Sequence, residues 1–282
     1  MNRNLFSDFN RKTVASFCAL LLVSGALLFP ARSQAATVSL ADGNSMASVN
    51  LDSSAGMNYW SVDGQNQLNQ QWFWFRVGSG LQAPINTIGT ASSVTVGGNG
   101  VASTYSNGQL TLQISYLLTG GTPGSGQADI LESITVVNNT ANPMDFHFYQ
   151  YSDFNLLGTG NDSILISGNP TDGFDYAYQS KGLTQIAEAI NSPVANHAET
   201  GLVPATLNRL NGTSDLVLND TTSSGPGDVA WALQWDVTIG AGASFDIFKD
   251  KKLSIVPIPE PSVLAFIALG LGAWCLPRRR QS

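Results

Sequence analysis

Val101-Ala102-Ser103-Thr104-Tyr105-Ser106-Asn107-Gly108-Gln109-Leu110-Thr111-Leu112-Gln113-Ile114-Ser115-Tyr116-Leu117-Leu118 is the stretch whose reading decides the fold. Two runs of alternating side chains, Val101–Ser106 and Leu110–Leu118, flank Asn107-Gly108. Alternation of period two is the pattern of a half-buried strand. Asn-Gly supplies the positive φ angles that a two-residue hairpin turn needs. The stretch therefore predicts an antiparallel hairpin centred on Asn107-Gly108.

The same pattern recurs on both sides. Upstream it predicts strands at Thr37–Leu40, Ala47–Asp52, Met57–Val62, Gln71–Val77 and Ala91–Val96. Downstream it predicts Ala128–Asn138, Met144–Phe154, Ser163–Ser167, Phe174–Gln179, Asp215–Leu218, Val229–Thr238 and Ser244–Ile255. Asp63-Gly64, Gly97-Gly98-Asn99-Gly100, the run from Gly158 to Asp162, and Asn211-Gly212 supply turns. Gly120–Gly126 reads as a longer flexible loop. One segment breaks the pattern: in Gly182–Asn191, Leu183, Ile186, Ala187 and Ile190 fall on a helical stripe that Pro193 ends. Many antiparallel strands with one short helix predict an all-β fold, an antiparallel β-sandwich. No fixed-period repeat is present, which argues against a propeller or solenoid.

The chain carries a formal charge of −7, and both of its cysteines, Cys18 and Cys275, lie in hydrophobic segments near its ends. Between Thr37 and Val256 the basic residues are Arg76, Lys181, Arg209, Lys249, Lys251 and Lys252. That balance lacks the basic footprint of nucleic-acid binding. Without cysteines the region between has neither disulfides nor a thiol nucleophile.

At the N-terminus, Arg3, Arg11 and Lys12 precede an apolar core, Val14 to Phe29, and a small-residue site, Ser33-Gln34-Ala35-Ala36. This is the pattern of a secretory signal peptide cleaved after Ala35 or Ala36. At the C-terminus, Pro257, Pro259 and Pro261 make a stiff extended segment around Glu260. An uncharged run, Val263 to Leu276, follows, and then Arg278, Arg279 and Arg280. A helix over that run is about 20 Å long, and the arginines hold its end on the cytoplasmic side.

Val256-Pro257, Pro259-Glu260-Pro261, the apolar run and the triple-arginine end together resemble the PEP-CTERM sorting signal of Gram-negative, polysaccharide-producing bacteria. The resemblance covers about a tenth of the chain. It implies recognition by an exosortase, a membrane protease that cuts near the motif. The expected organisation is a signal peptide over residues 1–35, a β-sandwich ectodomain over 36–255 and a sorting signal over 256–282. The first would form a signal helix and the last a transmembrane helix. The expected location is the inner membrane before processing, then the cell surface or extracellular matrix.

Three places between the targeting segments are candidates for chemistry. In the strand Met144–Phe154, Asp145, His147, Tyr149, Tyr151 and Asp153 share one face, a candidate glycan-binding face of rings and carboxylates. In Trp72-Phe73-Trp74-Phe75-Arg76-Val77 four consecutive aromatics predict a strand covered on both sides. The aspartate loops, Asp153 to Asp162 and Asp172-Gly173-Phe174-Asp175, are a candidate calcium site, although no EF-hand pattern is present. No H-E-x-x-H, G-x-S-x-G, Walker A or dinucleotide-binding motif occurs. His197 lies in a loop with Glu199, without a nucleophile motif. The expected function is an exported, noncatalytic cell-surface or extracellular-polysaccharide protein with no cofactor. The alternatives are a carbohydrate-binding module and a polysaccharide-acting enzyme that uses paired aspartates.

Overall fold

The computed structural model describes residues 37–158 and 160–256. The expected signal peptide lies outside the described residues. So do Pro257, Pro259, Glu260 and Pro261 of the sorting motif, the Val263–Leu276 run, and Arg278, Arg279 and Arg280. Val256, the first residue of the motif, is the last described residue and is exposed.

The described residues form an all-β sandwich of two sheets with one short α-helix. Sheet A runs β1 (Thr37–Asp42), β2 (Ser45–Asn50), β3 (Gly56–Val62), β5 (Leu68–Val77), β11 (Met144–Phe154), β17 (Val229–Ile239) and β15 (His197–Leu202). Two-residue strands β4 (Gln65–Asn66) and β6 (Ala83–Pro84) add to β3 and β5. Sheet B runs β16 (Ser223–Gly227), β12 (Asp162–Asn169), β13 (Gly173–Lys181), β14 (Thr184–Ser192), β18 (Ser244–Ser254), β10 (Gln127–Asn138), β9 (Leu110–Gly120), β8 (Gly100–Ser106) and β7 (Ser92–Val96). Pairing is antiparallel, apart from a short parallel contact of β3 with β5 at Gln71.

The β8–β9 hairpin forms as expected, but its turn sits one residue later. Asn107 donates its N–H to the Leu110 carbonyl at 3.3 Å, so Gly108 and Gln109 are the central residues, with Gly108 at φ +82°. The Asn107 side chain decides this, because its Oδ1 accepts from the N–H groups of Gln109 and Leu110 at 3.1 and 3.2 Å.

Three expectations are corrected. Gly182–Asn191 is not a helix: Thr184–Ser192 is strand β14, paired with β13 and β18. Its inward residues are Ile186, Glu188 and Ile190, and the buried glutamate breaks the apolar alternation. The helix, α1, is instead Ala205–Leu210. Asp215–Leu218 is not a strand; it crosses the outer face of sheet A. The Gly120–Gly126 loop is clasped rather than free. Asp42, Asn44 and Asp63 side chains accept from the N–H groups of Gly120, Gly121, Gly124 and Gly126 at 2.6–2.9 Å.

Between the sheets the core is aromatic. Phe154 stacks on Trp231 at 5.4 Å, with Trp60 edge-on to Phe154 at 6.0 Å, and Phe73 stacks on Phe148 at 5.3 Å. Embedded in it is a charged group. Glu132 on β10 and Lys249 on β18 are cross-strand partners, as are Glu188 on β14 and Lys251 on β18. All four are buried. Lys249 Nζ lies 2.7 Å from Glu132 Oε2, and Lys251 Nζ lies 2.5 Å from Glu132 Oε1 and 3.2 Å from Glu188 Oε1. Close pairing offsets the several kcal/mol that each isolated buried ion would cost.

Candidate functional site

Sheet A turns a second face away from the core, and this face gathers most of the sequence-predicted polar residues. Antiparallel pairing of β11 with β17 sets His147 directly opposite Asp236, and pairing of β15 with β17 sets His197 opposite Gln234. Alternation along β17 then brings Asp236 between the two imidazoles. His147 Nδ1 is 2.5 Å from Asp236 Oδ1, and His197 Nε2 is 3.5 Å from Asp236 Oδ2. At the outer ends, His147 Nε2 is 3.5 Å from Asp145 Oδ2 and His197 Nδ1 is 3.1 Å from Asp220 Oδ1. The result is a string, Asp145–His147–Asp236–His197–Asp220, holding both histidines of the chain. Gln234 donates to both Asp236 oxygens, at 2.8 and 3.0 Å, and fixes that carboxylate. His147 is 14% exposed, while Asp236, His197 and Asp220 are about a quarter exposed. Each imidazole is bracketed by carboxylates, so the string presents fixed donors and acceptors at a wet surface.

The expected glycan face is only partly realised. Asp145, His147, Tyr149, Tyr151 and Asp153 do share one side of β11, but Tyr149, Tyr151 and Asp153 are buried, and Asp145 and His147 alone reach solvent. The segment around α1 and the residues before Asp220 roof the rest. Tyr149 donates its hydroxyl to the Leu216 carbonyl at 2.8 Å, and Arg76 Nε donates to Tyr149 Oη at 3.3 Å. Trp72 and Trp74 donate to Asn86 and Asn211, each at 3.2 Å, so both sides of the aromatic run are covered as expected. His197 and Glu199 lie on strand β15 and not in a loop, and Glu199 is not part of the string: it is buried and held by Thr206 and Arg209 of α1.

Of the aspartates in the candidate calcium loops, Asp153, Asp162 and Asp172 are engaged by protein donors. Asp153 Oδ2 accepts from Asn69 at 2.8 Å; Asp162 Oδ2 accepts from the Leu156 N–H and from Gln179 at 3.1 and 2.8 Å. Burial raises the Asp153 carboxyl to about 6, with Asn69 opposing and the charges of Asp228 and Asp162 adding to the rise. Among the described residues no group of three or more His, Asp or Glu is arranged to hold a metal ion.

A carboxyl pair does exist, on the outer face of sheet B rather than in a cleft. Asp129 on β10 and Asp250 on β18 lie diagonally on one face, in register pairs two positions apart, both more than nine-tenths buried. Burial, and then the charge and hydrogen bond of Asp250, push Asp129 up to about 9; Lys252 opposes this. A separate shallow recess of about 370 Å³ is lined by Ser54, Ala55, Asn58, Asn69 and Gln70.

No family model matches the chain, and no curated protein does. Solved structures do resemble it in fold. A putative aldose 1-epimerase from Escherichia coli K12 superposes with a TM-score of 0.52 at 9% identity, over 79% of this chain and 99% of that one. A galactose mutarotase-like protein from Lactobacillus casei gives 0.53 at 10% identity, over 77% and 99%. A bacterial glucoamylase complexed with acarbose gives 0.53 at 8% identity, and the chain spans 36% of its length. At such identities the likeness is one of fold alone.

The string escaped sequence reading because its members come from three strands and a loop. The available signal was the polar side of Trp231–Ile239, where Gln234 and Asp236 alternate with apolar residues.

Proposed function

We propose that this chain is an exported protein of the cell surface or extracellular polysaccharide matrix, noncatalytic in its sandwich, and a substrate for an exosortase. The observation that carries this reading is the order of three independent parts at the C-terminus: Pro259-Glu260-Pro261, an uncharged run, and Arg278, Arg279 and Arg280. One structural fact supports it. The chain leaves β18 at an exposed Val256, so the motif begins within a few residues of the sandwich surface. The test replaces Glu260 and Pro261 with alanine in a host that contains an exosortase. Accumulation of the unprocessed, membrane-bound form is the expected result. Unchanged size and attachment would leave only a plain anchor.

A second reading, carbohydrate binding, is favoured by the string of two imidazoles and three carboxylates on the outer face of sheet A. Fixed carboxylates and imidazoles suit the hydroxyls of a sugar, and the sandwich resembles proteins described as an aldose 1-epimerase and a glucoamylase. Calorimetric titration with neutral mono- and oligosaccharides tests it. Millimolar or tighter binding that Asp236→Asn abolishes is the expected result. Binding that survives this substitution, or no heat at all, sinks the reading.

A further inference from the structure

The buried charges between the sheets hold more than ion pairs. Gln150 on β11 reaches from sheet A into the Lys249–Lys251–Glu132–Glu188 group of sheet B. Lys249 Nζ lies against Gln150 Oε1. On the far side of the same carboxamide, Gln150 Nε2 donates to Glu188 Oε1 and Oε2 at 2.8 and 2.7 Å. Glu188 Oε1 is also 3.4 Å from Lys249 Nζ. One carboxylate thus touches both the amine and the amide nitrogen of its neighbour. The amine sits 5.0 Å over the Phe73 ring and 5.9 Å from Trp235.

We propose that Lys249 and Gln150 react in the folded protein to form an intramolecular isopeptide bond that joins the two sheets and releases ammonia. The Lys249 ammonium gives one proton to Glu132 Oε2, 2.7 Å away, and becomes an amine. The Nζ–Cδ bond forms and the Cδ–Nε2 bond breaks. Glu188 takes a second proton from Nζ and delivers it to Nε2, which departs as ammonia. Nζ keeps its third hydrogen as the new amide N–H. Atoms and charge balance: an ammonium, a carboxamide and a carboxylate become an amide, ammonia and a carboxylic acid. No oxidant or other reactant is required.

The surroundings favour each part of this step. Burial draws the Lys249 amine toward its neutral form against the pull of Glu132. Burial works against the Glu188 carboxylate too, but Lys251 and Lys249 outweigh it and hold that group ionised, as a base must be. For Lys251 the two glutamates outweigh burial and keep it a cation, so the product retains a Lys251–Glu188 ion pair. Fixing amine and carboxamide side by side replaces a bimolecular encounter with an intramolecular one, worth effective molarities of roughly 10⁵ M or more in favourable cases. Amine and carboxamide come from strands in different sheets and lie 99 positions apart in the chain, so the bond depends on the fold.

The test is peptide mapping of the purified full-length chain, held folded at neutral pH, then unfolded and digested with trypsin. Mass spectrometry is expected to find the Gln150 and Lys249 peptides as one branched species, lighter than their sum by one ammonia, with no cleavage after Lys249. Recovery of both as separate peptides of unmodified mass, with full cleavage after Lys249, overturns the proposal. Protein kept in urea is expected to stay unlinked, since the geometry is lost; linking there would mean that the fold plays no part. Glu188→Gln keeps the shape but removes the base, and with it one of the two oxygens that accept from Gln150 and Trp231. It is expected to slow linkage by about 100-fold or more, and linkage at the wild-type rate in a folded variant removes Glu188 from the mechanism.

Discussion

Replacing Asp129 with asparagine should make the protein more stable above neutrality, and the size of the effect can be worked from the carboxyl pair on sheet B. Asp129 is 8% exposed, and burial with Asp250 beside it raises its carboxyl to about 9. In the unfolded chain the same group titrates near 3.9. Between these values the folded chain holds a proton that the unfolded chain has lost. Stability is therefore full below about pH 4, falls as pH rises, and stops falling near 9. The slope is about 1.4 kcal/mol per pH unit for one proton. From pH 5 to pH 8 that amounts to about 4 kcal/mol as an upper bound, because Asp250 is itself raised by burial and the two share the effect. Asparagine keeps the shape and does not titrate. Urea unfolding followed by tryptophan fluorescence at several pH values reads the difference directly. The advantage of the variant over the wild type should grow by about 2–4 kcal/mol from pH 5 to pH 8. Parallel curves for the two proteins across that range would refute the reasoning.

Gly56→Ala should cost about 2 kcal/mol or more, read as a lowered thermal midpoint. Gly56 has φ +56°, and a methyl group there would lie 2.4 Å from both the Gln71 carbonyl and the Trp72 ring. Tyr149→Phe should cost about 1 kcal/mol by loss of the bond to Leu216. Hydrogen exchange should report it as faster exchange confined to the roof, including the Leu218 amide that Gln234 holds. Lys251→Met should destabilise by roughly 3–5 kcal/mol, since it leaves the two buried carboxylates of Glu132 and Glu188 with Lys249 alone of their two shared cations; chemical denaturation is the measurement. A loss below about 1 kcal/mol would mean that the buried charges are better compensated than their distances imply.

Hairpins were the most legible part of this chain, because period-two alternation and turn chemistry are local properties. Val101–Ser106 and Leu110–Leu118 were found almost to the residue, and Met144–Phe154 was found to the residue. Strand β14 was misread for a reason that is itself informative. Its inward set is Ile186, Glu188 and Ile190, and no local rule expects a glutamate in the core; partners from other strands, Lys251, Lys249, Gln150 and Trp231, make it tolerable there. The candidate face on β11 failed for a similar reason. Which side of a strand is wet depends on what lies over it, and the roof over Tyr149 comes from residues 67 positions downstream. His147 and Asp236, likewise, are 89 positions apart and meet only because β11 and β17 are neighbours in sheet A.

The placement of β18 also has a mechanical meaning. It is an interior strand of sheet B, paired with β10 on one side and β14 on the other, and the chain beyond Ile255 is continuous with it. Tension applied through Val256 along the strand must slide two antiparallel ladders past their partners together, loading many hydrogen bonds at once. The opposite end of the described chain is built differently. β1 is an edge strand with β2 as its sole ladder partner, and tension across it peels bonds one after another. A molecule tethered by its C-terminal side would thus carry load through two ladders at once, and forced unfolding from that end should be the slower of the two.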